Sequence, residues 1–279
     1  MKSSQQMIVI TGSGSGIGRA LALEYLNQGA RVALIDWDLE KLESVASGFT
    51  KEQVLICKTD VSVESQVQQA ADLIARTWGK PDIWINNAGI VKLGKFEEIS
   101  AGDFEKVIAV NFFGVIYGTR AALKVMVEPE RGILVNVASV NGTVPAPFMS
   151  SYVSAKHAVV GFTRSLQIEK EQTQSPLKIL LVCPGWVKTP IMSPQSGFEF
   201  PSWLEWAVVT PESAAKEIMH GIKDGRKEMT PTLSGKAIRK LYHLAPGFVG
   251  SSSRLLAAKN WKEAIGLSKI KSEAEKNKK

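Results

Sequence analysis

Met7-Ile-Val-Ile10 runs into Thr11-Gly12-Ser13-Gly14-Ser15-Gly16-Ile17-Gly18, and an amphipathic segment through Leu21, Leu23, Tyr25 and Leu26 follows. A short apolar strand, a turn with four glycines in seven residues, and a helix form one unit. Such a turn lets the backbone approach a pyrophosphate seated on the helix N-terminus. The spacing here is Gly-x-x-x-Gly-x-Gly, through Gly12, Gly16 and Gly18. It differs from the Gly-x-Gly-x-x-Gly dinucleotide fingerprint. A flexible linker is the other reading of a Gly/Ser run, and the flanking strand and helix argue against it.

Beyond this unit, strands and helices alternate. Arg31–Ile35 is a strand ending in Asp36, and Gln53–Cys57 is a strand with Asp60-Val61 just past it. Val63–Trp78 is predicted as a helix, and Asp82–Ile85 as a strand ending in Asn86-Asn87-Ala88-Gly89, a tetrapeptide that also reads as a plain turn. Phe104–Met126 is predicted as one long helix, Gly132–Ala138 as a buried strand, and Leu177–Cys183 as a sixth strand closed by Pro184-Gly185. Alternation of this kind predicts an α/β fold with a parallel, doubly wound sheet, whose ligands sit at the strand C-terminal ends. Most of the polar residues singled out below fall at those ends.

The chemistry concentrates between Ser139 and Lys156. Ser139 closes the buried strand, and Tyr152 and Lys156, four residues apart, share one helix face. A free tyrosine, with a pKa near 10, is too weak a base at neutral pH. An ammonium one turn away favours the phenolate, so Tyr152 can exchange a proton with a substrate oxygen that Ser139 hydrogen-bonds. A surface Tyr and Lys that happen to share a face is the plainer reading of that spacing. Asp36 stands where a carboxylate accepts the adenosine ribose hydroxyls and repels a 2′-phosphate; a solvated aspartate ending a strand is the alternative. Trp37 follows it where an arginine would suit a phosphate, so NAD is expected over NADP. Asn111 is unusual inside a helix, and either bonds its own backbone or serves the site.

Composition sets outer bounds. The 279 residues are 44% hydrophobic and 22% charged, ordinary for a globular protein with room for one large α/β domain or two smaller ones. There is no run of 18 apolar residues, so no spanning helix is expected, and the N-terminus has no signal-peptide pattern. Cys57 and Cys183 lie in apolar runs and read as buried thiols, which makes a cytoplasmic location the default expectation. His157, His220 and His243 lack metal-ligand spacing, so no metal is assigned. From Arg226 onward 13 Lys and Arg stand against 4 Glu, a net of +9, which leaves −2 on residues 1–225. The body of the protein is therefore a poor nucleic-acid binder.

Taken as a set, Thr11-Gly12-x-x-x-Gly16-x-Gly18, Asn86-Asn87-Ala88-Gly89, Asn111, Ser139, Tyr152-x-x-x-Lys156 and Pro184-Gly185 resemble the short-chain dehydrogenase/reductase family, over roughly residues 6–232. The resemblance implies a single-domain Rossmann-type fold and hydride transfer between a nicotinamide and an alcohol or carbonyl. By it, Tyr152 is the acid/base, Lys156 holds the nicotinamide ribose and lowers the tyrosine pKa, Ser139 positions the substrate oxygen, and Asn111 supports a proton relay. The cofactor contacts it implies are Gly12, Ser15, Gly16, Ile17, Gly18, Asp36, Asp60 at the adenine, Val61, Asn87, Ala88, Gly89, Tyr152, Lys156, Pro184, Gly185, Val187 and, at the carboxamide, Thr189. No catalytic position departs from the family pattern. The domain is expected to span residues 1–232, followed by a basic extension over 233–279, in a homo-oligomer. The rival from another class is a catalytically silent dinucleotide-binding regulator, which would not need Ser139, Tyr152 and Lys156 together.

Two stretches keep two readings each. Residues 190–209, with Ile191, Met192, Phe198, Phe200, Trp203, Leu204, Trp206, Val208 and Val209, form a lid over an apolar substrate or pack on the domain or a neighbouring subunit. Past Pro231, which is read as lying in an edge strand, Ile238, Leu241, Leu244, Leu255, Leu256 and Trp261 alternate with lysines. That extension lies on an anionic membrane surface, or is solvated or in contact with another subunit.

Overall fold

Seven parallel strands form a single sheet in the order β3-β2-β1-β4-β5-β6-β7. The computed structural model describes residues 6–126, 132–192 and 206–245. The strands are β1 Met7–Thr11, β2 Arg31–Asp36, β3 Val54–Lys58, β4 Ile83–Asn86, β5 Ile133–Val137, β6 Lys178–Val182 and β7 Glu228–Met229. The central strands are β-branched and buried on both faces, as parallel strands covered by helices require. Between them run helices α1 Gly16–Asn27, α2 Leu39–Ala46, α3 Glu64–Trp78, α4 Ala101–Ile108, α5 Gly114–Val125, α6 Ser150–Gln172, α7 Pro211–Lys223 and α8 Leu233–Leu244.

The sheet separates two apolar layers. On one face Leu21 and Leu26 of α1, Leu42 and Val45 of α2, and Ile218 and Ile222 of α7 meet Ile8, Ile10, Leu34 and Ile85. On the other, Val67, Ala71 and Ile74 of α3, Ala121 and Ala122 of α5, and Leu166 of α6 meet Val9, Ile35, Trp84 and Leu134. The strand order reverses between β1 and its two neighbours, β2 and β4. A crevice opens at such a reversal, above the strand C-terminal ends.

A polar ladder crosses the buried middle of this second layer. Trp84 Nε1 donates to Asn86 Oδ1 (2.9 Å), and Asn86 Nδ2 donates to Thr119 Oγ1 (3.2 Å) and Asn136 Oδ1 (2.9 Å). Asn136 Nδ2 then donates to Thr163 Oγ1 (3.1 Å). All five side chains are at most 1% exposed. The ladder therefore ties α5 and α6 to the two strands between them, and each partner removed leaves a buried polar group costing about 1–3 kcal/mol.

Two expectations change. The predicted helix Phe104–Met126 spans Ala101–Val125, and a π-helical turn over Ala109–Phe113, with Asn111 at its centre, divides it. By length and mean hydropathy (1.2) this stretch is able to cross a membrane, but 44% of the window is buried inside the domain. Pro231 lies past the edge strand, which is only Glu228–Met229; without an N–H it cannot extend the ladder. The expected boundary at 232/233 falls between Thr232 and the helix that Thr232 caps, its Oγ1 accepting from Gly235 N–H (3.1 Å). Phe198, Phe200, Trp203, Leu204, Leu255, Leu256 and Trp261 lie outside the described residues.

Candidate active site

The glycine turn closes on the segment after β4. Thr11, buried at the end of β1, accepts from the N–H groups of Asn87 (2.9 Å) and Ala88 (3.1 Å) through Oγ1. Asn87 Nδ2 donates back to the carbonyls of Thr11 (3.1 Å) and Gly12 (3.3 Å). Gly12 has φ +66°, and a Cβ there would stand 2.7 Å from Ala88 Cα, so only glycine fits. The strand ends β1 and β4 are thus locked together below the crevice.

The first turn of α1 is left open to an anion. Ser15 occupies the N-cap with no side-chain hydrogen bond, and no acidic residue stands in the first turn. The N–H groups that a helix start leaves unpaired, together with its dipole, favour a phosphate there. Thr189 approaches from the far side, since a Cβ on Gly16 would meet Thr189 Cγ2 at 3.1 Å. A glycine turn, an uncapped helix start and a threonine facing it fit the pyrophosphate half of a dinucleotide.

Asp36 closes this end of the crevice. It is 8% exposed, with Oδ2 accepting from Gly14 N–H (3.0 Å) and Oδ1 from Asp38 N–H (3.2 Å). Each oxygen keeps a lone pair for a further donor. Trp37 beside it is 69% exposed. A cation that residue-by-residue reading missed stands close: a Cβ on Gly14 would lie 2.9 Å from Lys41 Cβ. Lys41 Nζ pairs with Asp38 Oδ2 at 2.6 Å, a bond that holds the lysine pKa above its ordinary value and the Asp38 carboxyl below its own.

At the other end, three groups converge. Lys156 is 2% exposed and donates through Nζ to the carbonyl of Val137 at the end of β5 (2.9 Å). Its Nζ is 5.8 Å from the centre of the Tyr152 ring. Ser139, 8% exposed, accepts from Asn141 N–H (3.1 Å). Burial pushes the Tyr152 hydroxyl above its ordinary pKa, and a hydrogen bond with Ser139 opposes that shift. Burial also lowers Lys156 to about 8. Burial and the Ser139 hydrogen bond, not Lys156, govern the Tyr152 hydroxyl in the protein alone, where Lys156 directs a proton at Val137 O.

Asn111 is fully buried and serves as a brace. Its Nδ2 donates to Ile90 O (2.7 Å) and Val107 O (2.9 Å), and its Oδ1 accepts from Ile90 N–H (3.1 Å). The backbone reading holds: Asn111 bonds its own helix four residues back, and it also pins the segment after β4 through Ile90. A Cβ on Gly89 would lie 2.7 Å from Asn111 Oδ1 and 3.6 Å from Lys156 Nζ, so Asn111, Gly89 and Lys156 adjoin. A π-helical turn at this point is the kind of irregularity that collects at functional sites.

The remaining expected contacts ring the same crevice or point to their own loop. Asp60 is exposed, and its Oδ1 accepts from Ser62 N–H (2.9 Å) and Ser62 Oγ (2.6 Å). Val61 is 7% exposed and packs toward Gly114. Pro184 O accepts from Val140 N–H (2.7 Å), which ties the loop after β6 to the Ser139 loop. Val187 is 3% exposed and bridges to Val209, the first described tie between this loop and the segment that leads into α7. Gly185 N–H donates to Thr232 Oγ1 (3.0 Å), a partner at the very end of the expected domain body. No spacing rule links a threonine 47 residues away to that loop.

Residues 6–198 match the short-chain dehydrogenase family model. The chain belongs to the short-chain dehydrogenase/reductase family. SadH of Mycobacterium tuberculosis is 34% identical over 264 residues, covering 91% of this chain and 94% of SadH. The solved structure of a family member from Burkholderia phymatum in complex with NAD superposes with a TM-score of 0.76 at 28% identity, covering 89% of this chain and 96% of that one. An alcohol dehydrogenase from Thermococcus sibiricus, solved with 5-hydroxy-NADP, gives 0.71 at 26% identity and covers 81% of this chain and 96% of that one. Family members with this fold thus take a nicotinamide dinucleotide in either form. The protein is an oxidoreductase of the short-chain dehydrogenase/reductase family, dependent on NAD or NADP.

Proposed function

We propose that the protein is an NAD-dependent alcohol dehydrogenase or ketone reductase acting on an apolar substrate. The observation that carries this reading is the convergence of Ser139, Tyr152 and Lys156 above β5, in the same crevice as an uncapped helix start. The nicotinamide, when bound, supplies or accepts the hydride. Tyr152, its pKa raised by burial, keeps its proton at neutral pH and gives it to the carbonyl oxygen during reduction. In oxidation the phenolate takes the alcohol proton back. Ser139 donates a hydrogen bond to the same oxygen, and Lys156 offers its remaining N–H donors to the nicotinamide ribose. Asn111 is a positioning residue, since its amide is spent on Ile90 and Val107.

Asp36 supports the choice of NAD. Its carboxylate offers lone pairs to the ribose hydroxyls, and a 2′-phosphate would face a like charge. The apolar substrate is supported by a recess of about 400 Å³ between the loop after β4 and the loop before α6. Phe96, Ala146, Pro147 and Phe148 line it with Gly94 and with the charged Lys95 and Glu97 at its rim, and Ser150 leads from it into the helix that carries Tyr152. Phe148 adopts φ +62°, and its carbonyl accepts from Gly94 N–H (2.9 Å), so the two loops are held around the recess. Incubating the purified protein with NAD and a panel of secondary alcohols of rising apolar size tests the reading. Turnover that improves with size supports it; dinucleotide binding with no turnover of any alcohol or ketone would leave the silent regulator instead.

A further inference from the structure

The outer side of α8 is an unusual surface for a folded domain. The inner side is anchored: Gly235 is buried against Gly185, and Arg239 pairs with Glu228, which also accepts from Nε and Nη2 of Arg164 on α6. The other side presents Leu233, Lys236, Ala237, Lys240, Leu241 and Leu244, all exposed and recurring once per helical turn, so they form one stripe. Leu233 is 80% exposed, Leu241 43% and Leu244 74%. Leucines and lysines interleaved along one exposed helix face are the pattern of a helix lying at a lipid–water boundary, with lysine stems reaching outward.

We propose that this face of α8 docks the protein on an anionic lipid surface. Charge decides among the occupants. The chain from Arg226 onward carries +9, and residues 246–279 alone carry 8 Lys and Arg against 3 Glu. That following segment would bring more positive charge onto Lys236 and Lys240. A second copy meeting the stripe about a two-fold axis would set the same lysines against themselves. An anionic bilayer offers the opposite sign together with an apolar layer for the three leucines. The docked face also begins one residue after Thr232, which holds the Gly185 loop of the crevice. That placement suits the apolar substrate proposed above, although docking itself does not depend on it.

The test is sedimentation of the full chain with vesicles of phosphatidylcholine alone and of phosphatidylcholine mixed with phosphatidylglycerol. Binding is expected only to the anionic vesicles, falling as salt is added. Two double variants, Leu241→Glu with Leu244→Glu and Lys236→Glu with Lys240→Glu, should each weaken partitioning by about tenfold or more. All four side chains are exposed, so both variants should fold and retain dinucleotide binding in solution. Equal binding to neutral vesicles, or none to either kind, overturns the proposal. So does full binding by both variants, which would assign attachment to residues 246–279. A change in particle mass without a change in vesicle binding would assign the stripe to a second copy.

Discussion

Tyr152 is half-buried and Lys156 fully buried, and their shifts run in opposite directions. The tyrosine is raised, and the lysine is lowered to about 8. A raised tyrosine holds its proton through the neutral range, so the free protein is set to act as an acid. Carbonyl reduction should therefore be fastest at neutral or mildly acidic pH and fall on the alkaline side. Alcohol oxidation should climb as pH rises, because it needs the phenolate. Profiles of kcat/KM against pH in both directions check this, and a reduction optimum more alkaline than the oxidation optimum would contradict it. At the ribose end, Asp38 both caps α2 and holds Lys41 beside Asp36. Asp38→Asn keeps a good cap while releasing the ammonium. NADP use should then improve roughly threefold relative to NAD, as the loss of one exposed ion pair allows. An unchanged ratio of the two catalytic efficiencies would show that Lys41 does not reach the cofactor.

At the scale of elements, Thr232 joins the loop after β6 to α8. Its hydroxyl is 1% exposed and accepts from Gly185 N–H and Gly235 N–H. Thr232→Val should leave both N–H groups without that partner and cost about 1–3 kcal/mol in denaturant unfolding. Thr232→Ser should recover most of the loss, and a raised KM for the dinucleotide in the valine variant would mark the displaced Gly185 loop. The strands and most helices were legible because buried parallel strands are continuous apolar runs and helices carry their own period. Asn111 stood out as a polar residue in a helix, and the π-helical turn around it did not, because a π turn has no residue signature. The Asn86–Asn136 ladder was hidden for a related reason: each asparagine looks like a strand-end residue until β4 and β5 lie side by side. Thr232 and Lys41 were missed because their partners are distant in sequence or on the next element. Sequence patterning reports burial and period, while such contacts depend on how the sheet is wound.

Over the whole molecule, the expected site residues gather where the sheet order reverses, at the C-terminal ends of β1, β2, β4, β5 and β6. That gathering was readable in advance from alternation alone. The role of the C-terminal region was not, since its charge is a composition and its contacts are tertiary. Because α8 braces Gly185, ending the chain after Leu233 should impair dinucleotide binding. Ending it after Ala245 should preserve both binding and turnover, and equal loss in the two truncations would show that residues 246–279 are needed at the site. Proton-coupled hydride transfer through Tyr152 is the chemistry proposed for this crevice. Its most direct test is turnover of a secondary alcohol with NAD, followed by absorbance of the reduced nicotinamide, in the unmodified protein and in Tyr152→Phe. The expected result is a loss of roughly 10²–10⁴-fold in turnover with dinucleotide affinity little changed. Turnover by the phenylalanine variant at the unmodified rate would contradict it.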